Sequence, residues 1–345
     1  MALSKETVYT MEYPPEKLKF REHFSSLLLS GDLSLTLLEL GSLGGLAAAA
    51  WLLPPDRVNV KGSWTLKELA AFLCTKAVVT RVYNTYLEAV FFTFPQYRTQ
   101  PSREHALKNK KDLCGRDMKE LETIVHHDRL TLISQFAFNV GLYYAIPGYY
   151  PAEDVVTPLR ERALRLVANH YLLSFGMYWM HRALHVVPWL WEKIHSYHHW
   201  AKHPLSRNTY DDHWLDNLGN AVIGHFCAQV FLPLDRSTFW FFRLIRILES
   251  LEKHSGVSCS SNLAHQLQRF LPFAQMHITM IGTMKAIRAA TIPSLPLEVC
   301  GIAFLELARL VEHQKLCHPR LLIWTKCRER RRVAHVASWI IRLLF

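Results

Sequence analysis

His181-Arg182-Ala183-Leu184-His185 places two imidazoles at i and i+4, on one face of a helix. Ten residues after His185, His195-Ser196-Tyr197-His198-His199 places three more at i, i+3 and i+4. The spacing predicts helices that aim several neutral nitrogens at a common point, as a transition-metal site requires. The chain has 19 histidines in 345 residues, so five in this pattern would arise by chance at about one start position in a million or fewer. The metal is narrowed by what surrounds them. HExxH is absent, which excludes the common zinc-protease pattern. The H-x-E and P-C-x-x-C pair of nucleobase deaminases is absent too. Seven cysteines form no C-x-x-C pair, so neither a thiolate zinc site nor a disulfide scaffold is expected. Histidine-only ligation beside apolar segments suits iron that activates dioxygen, and zinc would bind the same donors.

The elements that must hold these boxes read as helices. Half of the residues are apolar, 12% are aromatic and strand-like alternation is scarce. Leu33 to Leu53 is apolar over 21 residues and as a helix spans roughly 31 Å, enough for a bilayer core. Leu130 to Ile146, Ala163 to Met180 and Trp214 to Leu234 are further candidate spans. Trp64 to Phe94 reads as a moderately apolar helix carrying Lys76 and Arg81, and Arg98 to Glu120 as a charged connector. Phe239 to Ile247, with Arg243 and Arg246, suits an interfacial helix. Met1 to His23 is polar and does not resemble a signal peptide. The expected architecture is all-α, a multi-span membrane helical bundle, with membrane and connector helices over 1–125, a catalytic region over 126–274 and an atypical basic tail over 275–345.

The two boxes, followed by Trp200 to Pro204 and by Tyr210-Asp211-Asp212-His213, resemble the fatty acid hydroxylase superfamily over roughly Val167 to Ala274. That group includes sterol desaturases, sterol C-4 methyl oxidases and sphingolipid hydroxylases. The resemblance implies an integral membrane enzyme of the endoplasmic reticulum with a non-haem di-iron centre at the cytosolic face. It implies dioxygen as co-substrate, electrons from a reductase chain, often through cytochrome b5, and a lipid or sterol substrate hydroxylated or desaturated at a C–H bond. The ligands it implies are His181, His185, His195, His198 and His199, joined by His213 after the second box and by His254 in Lys253-His254-Ser255-Gly256. His170 is expected to make a polar helix–helix contact, His203 to lie outside the ligand set, His126 and His127 to be solvated, and Trp189, Trp191 and Trp200 to anchor at the interface. No nucleic-acid partner is expected.

Superfamily members carry a third box, H-D-x-H-H, and then close on W-D-x-x-F-G-T; neither occurs here. After Ala274 the composition changes. The last 71 residues contain no Asp or Tyr and hold eleven Lys and Arg against four Glu, so +7 of the net +11 lies there and the basicity says little about partners. Back-translation in the frame that takes the last base of one codon and two of the next fixes Ala at Met276-His277, Asp at Met280-Ile281 and Glu at Met284-Lys285. The intervening bases permit D-A-H-Y-H-D-W-H-H-E-G-H, and Leu297 to His313 permits G-G-V-W-D-C-L-F-G-T-R-K-A-G-R-A. The tail thus reads as a frameshifted or mis-spliced copy of the third box. Two alternatives follow. The chain as written is a catalytically inactive membrane paralogue or isoform, or it is a membrane zinc hydrolase with Asp211, Asp212 or Glu192 as base. Sequencing the locus and transcript across codons 265 to 320 is expected to show one extra or missing base, or a displaced splice junction, that restores both motifs; codons that forbid H-D-W-H-H would overturn the reading.

Overall fold

A computed structural model describes residues 19–29, 32–98, 118–153, 158–201, 204–219, 224–257, 259 and 262. The chain divides into two units, Met1–Ala286 and Ile287–Phe345, and every described residue lies in the first. The 275–345 tail and His203 lie outside the described residues. Seven helices of eight or more residues are described: α1 Phe20–Leu29, α2 Leu33–Leu52, α3 Leu66–Thr93, α4 Met118–Ala145, α5 Leu159–Val186, α6 Gly224–Phe231 and α7 Arg236–His254. Among the described residues there is no strand, only two isolated bridges, so the all-α expectation holds there. α4 runs without a break across position 125.

Local chemistry sets the helix ends. Asp32 caps α2 by accepting from the backbone N–H groups of Ser34 (2.7 Å) and Leu35 (3.1 Å). Thr65 and Glu68 form a reciprocal capping box at the start of α3. Asp235 caps α7 through the Thr238 N–H at 2.9 Å. Pro188, two residues beyond α5, removes a donor and ends that helix just after the first histidine box.

One aromatic knot joins three helices. Trp64 is fully buried, with ring centroids 5.1 Å from Tyr150, 5.3 Å from Phe72 and 5.5 Å from Phe239. Its backbone N–H donates to the Tyr150 carbonyl at 2.9 Å, and the Tyr143 hydroxyl donates to its carbonyl at 2.9 Å. The start of α3 is thereby fixed to the end of α4 and to the face of α7. Gly148, at φ +82°, makes the turn that brings Tyr149 and Tyr150 back to this knot. A second tie is ionic: Arg207 grips Glu88 of α3 with two guanidinium nitrogens, holding the 3-10 turn Ser206–Tyr210 against that helix.

The membrane expectations are met in part. Among the described residues one helix, α2, is long and apolar enough to cross a membrane. It exposes Leu33, Leu37, Leu40, Trp51 and Leu52. Of the expected span Trp214 to Leu234, Trp214–Asn217 and α6 are helical among the described residues. Asp216 and Asn217 are both 3% exposed and turn inward to polar partners, which an unbroken lipid-facing helix would forbid. Leu130 to Ile146, but for its last residue, and Ala163 to Met180 fall within the longer helices α4 and α5.

Trp64→Ala would open a cavity at the meeting point of α3, α4 and α7. It is expected to destabilise the fold by about 3–5 kcal/mol, read as a lowered unfolding temperature of the full chain in detergent.

Candidate metal centre

The first box occupies the last turn of α5, and the expected i, i+4 geometry is found: Nε2 of His185 lies 3.1 Å from Nε2 of His181. The second box departs from the α-helix expected of it. Trp191–His195 is a π-helical turn, in which the Ser196 N–H donates to the Trp191 carbonyl, and His198–Trp200 follows as a 3-10 turn. This change of pitch separates the three histidines into two groups instead of sending all of them to one point.

In the first group, Nε2 of His195 is 3.3 Å from that of His185, and Nε2 of His199 is 3.1 Å from that of His195. His181, His185 and His195 offer ligand atoms within 4.8 Å of one another. In the second group, Nε2 of His198 is 3.3 Å from Nε2 of His254, which α7 brings across from its C-terminal turn. The two groups adjoin, with the His195 and His198 rings 5.6 Å apart and nearly parallel.

The outward nitrogens explain why the inward ones face each other. Nδ1 of His195, a residue only 1% exposed, donates to Asp216 at 2.5 Å. Nδ1 of His198 forms an ion pair with Asp212, and Nδ1 of His254 donates to the Ser250 carbonyl at 2.8 Å. The bonds of His195 and His254 commit their Nδ1 protons and leave the Nε2 lone pairs pointing inward. Sequence reasoning missed Asp216 altogether and weighed Asp212 only as a hydrolytic base; here both carboxylates orient imidazoles. Glu192 is exposed and Asp211 accepts from the Asn208 side chain at 2.6 Å. The turn bearing Asp216 is itself held: the His213 Nδ1 caps it by accepting from the Leu215 N–H at 3.2 Å, and Gln135 of α4 donates to Asn217.

Titration follows the same contacts. Burial pushes His185 down to about 4, assisted by the neighbouring His195 and His198. Burial and four surrounding imidazoles hold His199 far below its ordinary value. Burial and His198 push His254 down to about 3. His198 moves the other way: burial opposes its charge, but the facing Asp212 outweighs burial and raises it to about 9. As a ligand His198 must release that proton, so binding at the second group is coupled to proton release.

His213 is placed differently from the other six, since its ring neighbours are His127 (4.4 Å), Tyr197 and Trp214. His127 corrects the solvated expectation: it is half-buried, its Nδ1 is shielded without a hydrogen bond, and burial pushes it down to about 4. His126 is exposed as expected. Trp191 is also corrected. Its indole stacks on His185 at 5.3 Å and lies 5.2 Å from His199, so it roofs the first group instead of anchoring at an interface. Trp189 is 60% exposed and remains free to anchor. His170 makes the predicted polar helix–helix contact, accepting from Arg246 of α7 at 3.4 Å.

The donor chemistry can be tested against a cation. Ligands of one ion at M–N distances of about 2.1 Å stand about 3.0 to 3.4 Å apart along the edges of an octahedron or tetrahedron. The first group's contacts of 3.1, 3.3 and 3.1 Å fall within that range. The second group supplies two such nitrogens among the described residues. Four plus two imidazoles on a helical scaffold form a cluster whose donor chemistry fits a metal ion. Residues 166–279 match the family model for fatty acid hydroxylase, and that region is similar to the fatty acid hydroxylase superfamily. It is 29% identical over 163 residues to a very-long-chain aldehyde decarbonylase of Oryza sativa subsp. japonica, covering 46% of this chain and 48% of that protein. It is 31% identical over 164 residues to methylsterol monooxygenase 1-1 of Arabidopsis thaliana, covering 47% and 51%. Methylsterol monooxygenase 1-3 of the same plant matches at 26% over 166 residues, covering 47% and 52%. The chain thus spans about half the length of these relatives. No solved structure matches it.

Asp216→Ala removes the acceptor that orients His195. It is expected to weaken metal binding about 10- to 100-fold, measured by titrating the metal-stripped chain with Co²⁺ and following the ligand-field absorbance, while the helical circular-dichroism signal is retained.

Proposed function

We propose that this chain is a membrane-bound non-haem iron oxygenase of lipid metabolism, acting on a lipid or sterol C–H bond. The observation that carries this reading is the meeting of inward imidazole nitrogens at 3.1 to 3.3 Å with their outer protons committed to Asp216, Asp212 and Ser250. Imidazole nitrogens gathered this closely can share one cation through their inward lone pairs. The relatives named as methylsterol monooxygenases and an aldehyde decarbonylase support a lipid substrate. His181, His185, His195 and His199 would hold one iron, and His198 and His254 would contribute to a second. Iron bound there supplies dioxygen-dependent C–H oxidation, with electrons delivered by a reductase chain such as one using cytochrome b5. The protein's own part is to fix ring orientation through the carboxylates and to exclude water from the first group with the Trp191 indole.

α2 supports membrane attachment, as do the exposed Phe175, Tyr178 and Trp179 of α5, and the endoplasmic reticulum is the proposed location. A second reading is favoured by the two-nitrogen second group together with the missing third box: the chain as written holds one metal firmly and is catalytically impaired.

The test compares the chain as written with a version whose frame is restored after Ala274. Both are purified in detergent, analysed for iron and zinc, and incubated with a 4-methylsterol or a very-long-chain aldehyde, a reductase system and ¹⁸O₂. The restored chain is expected to hold near two irons and form product in an oxygen-dependent way, and the written chain to hold about one with little turnover. Zinc alone in both chains, with no oxygen-dependent product, would overturn the proposal. Near two irons with full turnover in the written chain would overturn the second reading.

A further inference from the structure

We infer that Arg243 of α7, Lys76 of α3 and His225 of α6 enclose a site for a small monovalent anion, either chloride or a carboxylate, with the Tyr210 hydroxyl as a further donor. None of the four belongs to the two imidazole groups, so the site stands whether or not iron is bound. Other interior cations of the fold have an acid of their own: Arg246 and Lys253 share Glu249, and Arg207 grips Glu88. Arg243 and Lys76 are different. Nη1 of Arg243 is shut off from solvent without a hydrogen bond, and its guanidinium makes no ion pair among the described residues. Lys76 donates to the neutral Gln135 side chain at 3.1 Å and makes no ion pair there either. Burial and Arg243 push Lys76 down to about 8, so it stays mostly charged at pH 7. A charge held in the interior without a counter-charge is strongly unfavourable.

His225 marks where the unbalanced charge converges. Arg243, Arg246 and Lys76 all act on its ring, and no carboxylate is among the charges that do. The Arg243 guanidinium also acts on Tyr149, Tyr150 and Tyr210. Burial pushes the Tyr210 hydroxyl up to about 12, so it keeps its proton, and it has no hydrogen-bond partner among the described residues. A guanidinium, an ammonium, a phenol and a neutral imidazole thus offer protons with no acid to take them. A neutral ligand would leave both charges unbalanced, and a metal cation would add to them. An anion answers both, and the planar guanidinium suits one that accepts from two nitrogens at once.

Packing restricts the size of that anion. Arg243 lies 5.8 Å from the centre of the Phe239 ring, the His225 ring is 6.0 Å from Phe242, and both phenylalanines are buried, as is Tyr149. Only a compact group fits among them. Lys76 and Tyr210 also line a cavity of about 300 Å³ between α2, α3 and α4, which gives a small ion a way in. The acids of that cavity, Asp32, Glu39, Asp128 and Asp211, disfavour an anion resting there and are not among the charges acting on His225. The anion therefore passes Lys76 and settles against Arg243, tying α3, α6 and α7 together.

The test uses the full chain in detergent at constant ionic strength, with the bulky anion of sodium HEPES replaced stepwise by chloride or by acetate. The unfolding temperature is expected to rise saturably, by roughly 2 to 5 °C at ten times the half-saturating concentration. Whichever anion acts at the lower concentration tells a free halide from the end of a carboxylic acid. The ³⁵Cl resonance is expected to broaden with the protein and to sharpen again as acetate displaces chloride. Arg243→Met keeps the apolar stem and removes the charge. It is expected to abolish the response to both anions, and in HEPES alone to unfold no lower than the wild type, because an uncompensated charge has gone. Lys76→Met is expected to raise the half-saturating concentration at least about tenfold and keeps the test open if Arg243→Met does not fold. Arg160→Met, which removes an exposed cation of α5, is expected to leave the response unchanged. The site is overturned if neither anion acts beyond ionic strength, if Arg243→Met or Lys76→Met responds as the wild type does, or if Arg160→Met removes the response equally.

Discussion

Imidazole nitrogens of the two boxes and of α7 meet at 3.1 to 3.3 Å, and the architecture around them is arranged to enforce that proximity. Asp216 and Asp212 take the outer protons of His195 and His198, and the Ser250 carbonyl takes that of His254. Removing one carboxylate would free a ring to rotate and relieve the crowding. The supports behind the carboxylates are therefore as necessary as the histidines: Gln135 on Asn217, the His213 cap, and the grip of Arg207 on Glu88 that fixes the approach to Asp211. Each lies on a different element, so α3, α4, α5 and α7 must all be docked before the nitrogens meet.

Much of this was readable in the sequence because the first histidine box uses the period of its helix. His181 and His185 sit one turn apart and meet as their spacing demands. The apolar stretches Leu33 to Leu53 and Trp64 to Phe94 became α2 and α3, whose starts are capped by Asp32 and by Thr65 with Glu68. What stayed hidden depended on deviations from regular pitch. The π turn at Trp191–His195 has no signature in residue type, yet it sends His198 away from His195 and His199 and toward α7. Asp216 is an acidic residue in an apolar stretch, and only the folded structure shows it buried against His195. Trp191 reads as an interfacial residue by composition, but the same π turn carries it over two imidazoles.

The aromatic knot around Trp64 shows how a site can depend on packing far from its own chemistry. By joining the start of α3 to the end of α4 and to Phe239 of α7, it sets the register of the three helices that carry Glu88, Gln135 and His254. Aromatic contacts are directional as well as apolar, so they resist sliding of one helix along another better than aliphatic packing does.

The two imidazole groups also differ in how much chain must close to make them. Contacts within the first group join residues 4 or 10 apart in sequence, whereas the His198–His254 contact closes a loop of 56 residues. Loop-closure entropy grows with length, and local contacts form sooner and survive partial opening better than distant ones. The first group is thus a property of one short stretch around the end of α5, able to form as soon as that stretch is made. The second exists only in the completed domain and is the first to be lost when α7 loosens, so the centre has an order of assembly and disassembly written into its connectivity.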